Sequence, residues 1–428
     1  MKDPAGVIGE LKRRGFIEQV TDEEGIRGYL SRPAVCYVGF DPTADSFHVG
    51  SLIPILSLVH MQRYGHKPIA IMGGGTGLIG DPSGKTEMRK LLSWEELEHN
   101  ASGLKAQLAR FLDFDNDAAL FLNNAEWLVK LNYIEFLRDI GRHFSVNRML
   151  AAESYRQRLE KGLNFIEFNY MLLQAYDFYY LAEKYDCYLQ MGGSDQWGNI
   201  VAGIDLIRKK LGKQAYGITF PLVTTASGAK MGKTAKGAIW LSSSRTSVYD
   251  FYQYWVNTDD RDVVRFLKLF TFLPVEEIEE IENLEGEALN PCKRVLAFEV
   301  TKLVHGQEEA REAYWASCKA FGFLEIPEDI LPSSTIPRGS HSEDTDLPSI
   351  VLPRDRLVAG IPLYQLLFDA DLCASKSAAR RLIQQGGAYV NGARVTDVNW
   401  VVTEENVEDG EVILRAGKKK IKKVVFSS

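Results

Sequence analysis

The sequence has no run of apolar residues as long as the roughly 20 that a membrane-spanning helix needs. It has only five cysteines, which are odd in number and far apart, and no C-x-x-C pair, so neither a zinc site nor a disulfide framework is predicted. The first residues, Met1 to Gly6, contain no apolar signal core. We therefore expect a cytoplasmic protein with no membrane association and no dedicated metal site.

A strong net charge is also absent. The formal net charge of −7 over 428 residues argues against nonspecific nucleic-acid binding by the whole surface, although it permits a local basic face. No catalytic triad is evident in the sequence. Apolar residues make up 45% of the chain, which is enough for a large core, and the length predicts two or three domains.

One stretch predicts a strand, a turn and a helix in succession. The apolar, β-branched run Val35–Phe40 is typical of a buried strand, and Pro42 ends it because proline has no N–H for a strand ladder. From Val49 to Met61 the chain is mostly apolar, as in a buried helix. His48 and Gly50 lie at or near the helix start, where free N–H groups and the helix dipole suit an anion such as a triphosphate. The alternative is that His48 is an ordinary cap or packing residue.

A glycine-rich loop follows a second predicted strand, Lys67–Met72. Gly75–Gly80 matches the dinucleotide-binding fingerprint, but the poor helix former Pro82 follows where that motif needs a helix at once. A phosphate-binding P-loop would need glycine where Ile79 stands, so we reject both motifs. The loop still lies at the carboxyl end of a strand, where open α/β sheets bind ligands. On sequence alone, the favoured interpretation of Asp81 in this loop is an aspartate that caps a turn.

The helix predicted over Asn169–Ala182 carries a polar stripe. Tyr170, Gln174 and Asp177 stand at i, i+4 and i+7 and share one face of an otherwise apolar helix. Buried polar groups need hydrogen-bond partners, so the stripe is either a pocket wall or a set of groups satisfied by neighbouring backbone or water.

A further strand, Asp186–Met191, leads through Gly192 and Gly193 into a helix of residues 200–211. Asp195 lies between the strand end and the helix start, where its carboxylate could accept bonds from ribose hydroxyls. The alternative role is a simple N-cap, which is common for aspartate.

Two charged or polar motifs together resemble known signatures. His48–Ser51 and Lys230–Thr234 resemble the HIGH and KMSKS motifs of class I aminoacyl-tRNA synthetases, in the right order, whereas the second alone is equally a solvated surface turn. Ser51 replaces the second histidine of HIGH, and Gly232 and Thr234 also depart from KMSKS. Longer runs resemble bacterial-type tyrosyl-tRNA synthetases, over nearly the whole chain: Gly39–Asp45, Gly77–Ser83 and Gly192–Asn199.

The resemblance implies an α/β fold with a Rossmann-like parallel-sheet catalytic domain over residues 1–240. An α-helical domain on the anticodon side would cover residues 241–325, since the pattern from about Thr246 is helical with few strand signals. Prolines and polar residues cluster in residues 326–356, which we predict to be a linker. Residues 357–428 resemble the S4 RNA-binding module.

The implied activity has two steps. L-Tyrosine and ATP would give tyrosyl-adenylate and diphosphate, and the tyrosyl group would then pass to the 3′ end of tRNA(Tyr). ATP is a substrate here, and Mg²⁺ would arrive on its phosphates without a protein site of its own. By the same resemblance the chain would form a homodimer.

The resemblance also assigns residues. Those expected to contact tyrosine are Tyr37, Asp81, Tyr170, Gln174, Asp177 and Gln196. Those expected to bind ATP are Gly39, Asp41, His48, Gly50, Ser51, Gly192, Asp195, Lys230 and Lys233. Those expected to act directly in catalysis are Thr43, His48, Lys230 and Lys233.

The C-terminal module carries a basic segment. From Lys376 to Lys423 there are 10 Lys and Arg against 6 Asp and Glu, about +4 in an otherwise acidic chain. Phosphate contacts from such a patch would give salt-dependent affinity with little base selectivity, and the alternative is a solvated tail. The residues expected to contact RNA are Lys376, Arg380, Arg381, Lys418, Lys419 and Lys420.

The sequence offers three alternatives to this function. A tryptophanyl enzyme of the same subclass is disfavoured, because an indole offers one N–H and no acceptor to Tyr37 and Asp177. A non-enzymatic RNA-binding protein with a synthetase-like body is supported only by Ser51. A nucleotidyltransferase of another HIGH-bearing family would not need the S4-like tail or the polar stripe that ends at Asp177.

Overall fold

The computed structural model describes residues 3–83, 92–152, 155–156, 159, 162–226, 228, 231–234, 237–322, 325–339, 347, 349–358, 360–417 and 420–427. The chain divides into two compact units. The first comprises residues 1–233, 238–245 and 264–278, and the second comprises residues 234–237, 246–263 and 279–428. None of the described helices is long and apolar enough to cross a membrane. The finer division at residues 240, 325 and 356 stays a prediction.

The first unit is built on a six-stranded sheet. Its strands are β1 (Gln19–Val20), β2 (Val35–Phe40), β3 (Lys67–Met72), β4 (Leu120–Asn123), β5 (Cys187–Gly193) and β6 (Tyr216–Phe220). Their order is β1-β6-β5-β2-β3-β4, with only the β1–β6 pair antiparallel. From β2 the chain moves outward to β3 and β4, then returns to β5 on the other side of β2. This reversal creates the crevice at the carboxyl ends of the strands where open sheets bind ligands.

The strands β2 and β3 have the bounds that the sequence predicted. Both are apolar along their length because helices cover both faces of a parallel sheet. Two short strands follow, β7 (Lys233–Thr234) and β8 (Gly237–Ala238). The helices of this unit are Val7–Arg13, Glu23–Tyr29, Leu52–Arg63, Trp94–Leu108, Ala125–Leu128, Tyr133–Asp139, Val146–Leu150, Phe165–Tyr185 and Trp197–Leu211, with most of Val263–Phe270 and Val275–Glu280.

The second unit contains only part of the helical region predicted over residues 241–325, because residues 241–245 and 264–278 belong to the first unit. Helices Val248–Val256, Asn290–His305 and Gln307–Phe321 pack on one another, in agreement with the helical pattern predicted from about Thr246. Their mutual faces are aromatic and aliphatic, with Trp255 and Phe298 fully buried.

A five-stranded sheet forms the C-terminal part of the second unit. The strands of this sheet are β9 (Ser349–Pro353), β11 (Ala388–Val390), β12 (Ala393–Val395), β14 (Glu411–Ala416) and β15 (Lys420–Ser427). The same part of the chain contains the short strands β10 (Ile361–Pro362) and β13 (Val401–Val402) and the helices Asp355–Val358, Leu363–Asp369 and Lys376–Gln384. The sheet order is β12-β11-β14-β15-β9, and β10 pairs with β13. The predicted hairpin at Asn391 and Gly392 joins β11 to β12, with φ of 47° and 80° at these residues.

Part of the predicted linker is structured. Strand β9 lies inside residues 326–356 and pairs in parallel with β15. The sheet therefore includes residues that were predicted to be a linker because prolines cluster there. The alternating exposure of β9 shows why the signal was weak: one face packs on the module core through Ile350 and Leu352, and the other is open.

Candidate active site

A cavity of about 440 Å³ opens at the carboxyl edge of the six-stranded sheet. Its wall includes residues that directly follow or end four strands: Asp41, Gly73, Asn124 and Gly193. Of the residues predicted to bind tyrosine or ATP or to act in catalysis, Gly50 does not line the cavity, and the structure brings these together in its wall: Tyr37, Gly39, Asp41, Thr43, His48, Ser51, Asp81, Tyr170, Gln174, Asp177, Gly192, Asp195 and Gln196.

The charged loop is only partly described. Lys230 lies outside the described residues, and of Lys233 only the backbone is described, at the start of β7. The backbone beside them reaches the cavity rim, because the Ile239 N–H donates to the Gly232 carbonyl and the Val49 N–H donates to the Ile239 carbonyl. Gly232, in the KMSKS-like segment, and Val49, in the HIGH-like segment, are therefore connected through the backbone of Ile239.

Asp177 lies at the buried end of the polar stripe. Its side chain is 4% exposed, and each carboxylate oxygen accepts one hydrogen bond: Oδ1 from Trp127 Nε1 at 2.7 Å and Oδ2 from Asn124 Nδ2 at 2.9 Å. Burial raises the pKa of Asp177 to about 7, the negative charge of Asp41 adds to the rise, and the two hydrogen bonds oppose it. The carboxyl group can therefore exist in either protonation state near neutral pH.

Tyr37 contributes a second buried polar group from strand β2. Its hydroxyl has no hydrogen-bond partner within the part of the chain that the structure describes, and its ring packs on Phe178 at 5.3 Å between centroids. Burial, and after it the charge of Asp177, raises the pKa of Tyr37, so the phenol stays protonated. A buried hydroxyl without a partner is costly, which points to a ligand atom as the missing partner.

A second polar group surrounds Asp81. Its Oδ2 accepts a bond from Gln196 Nε2 at 2.7 Å, and its Oδ1 accepts from the Ser83 N–H at 2.9 Å. Asn199 Nδ2 donates to Gln196 Oε1 at 3.1 Å and to Gln174 Oε1 at 2.9 Å. The network places one carboxylate and several amides together, which suits the ammonium and carboxylate of an amino acid.

Asp41 connects the polar stripe to the strand ends. Its Oδ2 accepts from the Tyr170 hydroxyl at 3.2 Å, and its Oδ1 accepts from Thr76 Oγ1 at 3.1 Å. Tyr170 is thereby held in the wall between the Asp81 group and the sheet. The stripe residues Tyr170, Gln174 and Asp177 all line the cavity, as the pocket-wall interpretation requires.

His48 is both a helix cap and a cavity residue. It precedes a short 3-10 turn, Val49–Ser51, that runs into the helix Leu52–Arg63, and its Nδ1 accepts the Gly50 N–H at 3.0 Å. Its ring lies edge-on to Trp240, with 6.3 Å between ring centroids. The cap fixes the ring at the helix start, where the dipole favours an anion.

The sequence did not predict several residues that line the cavity or contact its lining. Trp127 and Asn124 hold Asp177, and Asn124 follows β4 directly, so its place at a strand end was the available signal. Gln190 is a polar residue inside the buried strand β5, and its Oε1 has no partner among the described residues. Trp240 gave no usable signal, because its neighbour His48 is distant in the sequence.

The predicted RNA-contacting residues lie in the second unit. Lys376, Arg380 and Arg381 are exposed on the helix Lys376–Gln384, and the Arg380 guanidinium lies 4.1 Å from the centroid of the Tyr364 ring. Lys420 donates from Nζ to the Leu372 carbonyl at 3.3 Å. Lys418 and Lys419 lie outside the described residues.

Comparisons with known proteins agree with this arrangement. A family model described as tRNA synthetases class I (W and Y) matches residues 30–322, and a model described as the tyrosine–tRNA ligase SYY-like C-terminal domain matches residues 342–424. The chain is similar to the tyrosine–tRNA ligase of Desulfatibacillum aliphaticivorans, with 59% identity over 98% of this chain and 99% of that protein. It is similar to that of Desulfosudis oleivorans, with 57% identity over 98% of each.

A solved structure is also similar. The C-terminally truncated mitochondrial tyrosyl-tRNA synthetase of Aspergillus nidulans has a TM-score of 0.66 and 30% identity, over 74% of this chain and 94% of that one. The predicted parallel-sheet fold and the predicted family are both confirmed. The chain belongs to the class I tRNA synthetase family of the tryptophan and tyrosine enzymes, and within it to the tyrosine–tRNA ligases.

Proposed function

We propose that the cavity binds L-tyrosine and ATP, forms tyrosyl-adenylate and diphosphate, and then passes the tyrosyl group to the 3′ end of tRNA(Tyr). The observation that carries this assignment is the buried pair of polar groups on one wall, the Asp177 carboxylate and the Tyr37 hydroxyl. A phenol donates to a carboxylate and accepts from a hydroxyl. Phenylalanine would leave the Tyr37 hydroxyl unpaired and would give the buried Asp177 carboxylate no further donor, and an indole N–H would leave the Tyr37 hydroxyl without an acceptor.

The amino-acid end of tyrosine fits the Asp81 group. The ammonium would be bound by Asp81, Tyr170 and Gln174, and the carboxylate would lie near Gln196. That carboxylate attacks the α-phosphorus of ATP, the bond from phosphorus to the bridging oxygen breaks, and diphosphate leaves with its electron pair. Because the substrate is the nucleophile, the protein contributes positioning and charge stabilisation rather than a reactive side chain.

The ATP end is assigned to the opposite part of the wall. Thr43, His48 and Ser51 would face the phosphates and adenosine at the helix start, and Asp195 would accept bonds from the ribose hydroxyls. The remaining assigned contacts are the backbone at Gly39, Gly50 and Gly192, the carboxylate of Asp41, and the lysines Lys230 and Lys233 over the leaving diphosphate.

Mg²⁺ is expected to enter with the ATP. Among the described residues, no three His, Cys, Asp or Glu side chains converge as a metal site. An ion held chiefly by phosphate oxygens and water fits this donor set, because Mg²⁺ keeps several waters and is often bound through substrate phosphates. Its charge would neutralise the leaving diphosphate.

tRNA(Tyr) is assigned to the basic face of the C-terminal module. Lys376, Arg380 and Arg381 present three exposed cations from one helix. Lys420 is already hydrogen-bonded within the module, so its contribution would be smaller. We place the protein in the cytoplasm, and this is supported by its five buried cysteines, none of them in a disulfide.

A second copy of this chain is the proposed partner of one apolar surface. Three helices that contribute buried residues to the cluster of Phe136 and Met149 also carry large apolar side chains that are exposed. Ile134 is 70% exposed and Phe165 is 66% exposed, which is unusual for grouped apolar residues in a monomer. Further exposed members of this surface are Val129, Tyr133 and Val146.

The direct test of the catalytic proposal is amino-acid-dependent ATP–diphosphate exchange with the purified full chain. We expect exchange with tyrosine and none with phenylalanine, tryptophan or no amino acid. Exchange driven by tryptophan would preserve the adenylate chemistry and overturn the substrate. A folded protein that binds tRNA but shows no exchange with any amino acid would instead be the non-enzymatic RNA-binding alternative.

A further inference from the structure

The loop between β2 and His48 is held by a helix that does not itself carry a predicted site residue. This loop, residues 42–47, includes Thr43 and leads directly into His48. The helix Trp94–Leu108 faces it with Asn100, Gly103 and Gln107, which stand at i, i+3 and i+7 on one side of the helix. Its start is fixed by the capping box that Ser93 and Glu96 form.

Gln107 makes two side-chain hydrogen bonds to this loop. Its Nε2 donates to Ser46 Oγ at 2.9 Å, and its Oε1 accepts the Phe47 N–H at 2.9 Å. One amide therefore uses its donor and its acceptor on two consecutive residues of the loop. Asn100 adds a third bond from its Nδ2 to the Pro42 carbonyl at 2.9 Å.

The helix also approaches the loop more closely than most side chains would allow. A Cβ atom at Gly103 would lie 2.2 Å from the Asp45 carbonyl oxygen, which is backbone and cannot rotate away. Gly103 is therefore required for close approach rather than for backbone conformation. This proximity lets the Gln107 side chain reach the loop without an intervening water.

The opposite side of the loop is held by residues 239–242. The Leu241 N–H donates to the Phe47 carbonyl at 2.8 Å, and the Ser242 N–H donates to Ser46 Oγ at 3.1 Å. Ser46 is buried, and its hydroxyl receives bonds from Gln107 and Ser242 while it donates to the Phe47 carbonyl at 2.8 Å. Two separate parts of the chain thus meet at one hydroxyl, two residues before His48.

We propose that Gln107 is a positioning residue for the ATP end of the reaction. It does not line the cavity, so it contributes no contact to a ligand. Its amide fixes Ser46 and Phe47, and through them sets the position of Thr43 and of the His48 ring. The inference rests on the proposed function, and it extends that function to a residue that acts only through the loop.

The chemistry of the amide makes the role testable. Glutamate at this position keeps an acceptor for the Phe47 N–H but cannot donate to Ser46 when ionised. Methionine has a similar length and can do neither. Gln107→Glu should therefore retain part of the effect that Gln107→Met removes, whereas a merely space-filling role would be met equally well by both.

The experiment compares Gln107→Met, Gln107→Glu and the control Ser102→Ala in the full-length chain. Ser102 is exposed on the same helix, away from the loop. Active sites are counted by the burst of adenylate formation, after which kcat and KM for ATP are measured in exchange, and tyrosine Kd is measured by equilibrium dialysis without ATP. Since each lost hydrogen bond changes an equilibrium by about fivefold, Gln107→Met should lower kcat/KM for ATP by about 10- to 30-fold.

We expect tyrosine Kd to be unchanged in all variants, Gln107→Glu to lie between wild type and Gln107→Met, and Ser102→Ala to match wild type. Wild-type kcat/KM for ATP per active site in Gln107→Met would overturn the inference, as would an equal loss of tyrosine affinity. If Gln107→Met does not fold, Gln107→Glu decides by the same criteria. Absence of exchange in the wild type would instead refute the proposed function itself.

Discussion

Asp177→Asn separates the effect of Asp177 on stability from its proposed effect on tyrosine binding, because it removes the charge with almost no change in volume. Trp127 Nε1 can only donate, so the new amide must turn its oxygen toward Trp127 and its NH₂ toward Asn124. Asn124 cannot rotate to accept, because its Oδ1 already accepts from the Gly75 N–H at 2.8 Å and its Nδ2 donates to Thr76 Oγ1 at 3.0 Å. Two donors therefore face each other, at a cost of about 1–3 kcal/mol.

The loss of charge acts in the opposite direction on stability. The pKa of Asp177 is raised from 3.8 to about 7, so its stabilising contribution is present below about pH 4 and is lost as the pH rises through about 7. At pH 7 the shift corresponds to roughly 4 kcal/mol that an uncharged residue would not forfeit. We expect Asp177→Asn to be about 1–3 kcal/mol more stable than wild type at pH 7, where the relieved cost of burying the charge exceeds the cost of the two facing donors, and less stable than wild type near pH 4.

The loss in tyrosine binding is not offset in this way. A hydrogen bond from the phenol to a carboxylate contributes about 1.5–3 kcal/mol, so tyrosine Kd should rise by roughly 10- to 150-fold. KM for ATP should stay within about twofold, because Asp177 is assigned to the phenol and not to ATP. Equilibrium dialysis, exchange kinetics and urea unfolding at both pH values measure these effects. Glu183→Gln, on the exposed side of the same helix, is the control.

The reasoning would be refuted by a rise in KM for ATP that matches the rise in tyrosine Kd, since that would mean general damage to the cavity. A variant several kcal/mol less stable than wild type at pH 7 would show that the raised pKa of Asp177 carries no cost.

Three further predictions follow from the same structure. Because the ionised Asp177 is proposed to accept the phenol O–H and its pKa is raised to about 7, tyrosine affinity should increase as the pH rises through about 7, and a flat profile of Kd against pH would contradict this. Arg380→Ala should raise KM for tRNA in aminoacylation, reduce the slope of log affinity against log salt by about 1, and leave exchange unchanged. Phe165→Asp should convert a dimer to a monomer in sedimentation measurements, because a charge replaces an apolar side chain that is 66% exposed in the single chain, and the exposed control Lys184→Ala should not.

The elements that carry the site could be predicted from local pattern. Strands β2 and β3 stand out because both faces of a parallel sheet are covered, so their sequences are continuously apolar. The stripe of Tyr170, Gln174 and Asp177 follows from helix periodicity alone, and all three residues line the cavity. Both inferences use only residues within one element.

The contacts between elements could not be predicted in the same way. The partners of Asp177 lie 53 and 50 positions away, at Asn124 and Trp127, and Gln107 lies 61 positions from Ser46. Nothing in a local pattern specifies such pairs. The same limit applies to the basic segment of the C-terminal module. Its lysine content predicts a basic face, but it cannot show that Lys420 donates a hydrogen bond to the Leu372 carbonyl of the same module.

The two ends of the cavity are built on different physical principles. At the phenol end the chain leaves polar groups incomplete: the Tyr37 hydroxyl and Gln190 Oε1 have no partners among the described residues, and burial raises the pKa of Asp177. Each such group costs free energy that a matching ligand recovers, so discrimination arises because a wrong ligand leaves the cost in place. The loop before His48 is instead tied down by the protein itself, through Ser46 and Gln107. On the proposed assignment, selection of the amino acid therefore depends on groups that the protein leaves without partners, whereas attack at phosphorus depends on groups that are already held before ATP arrives.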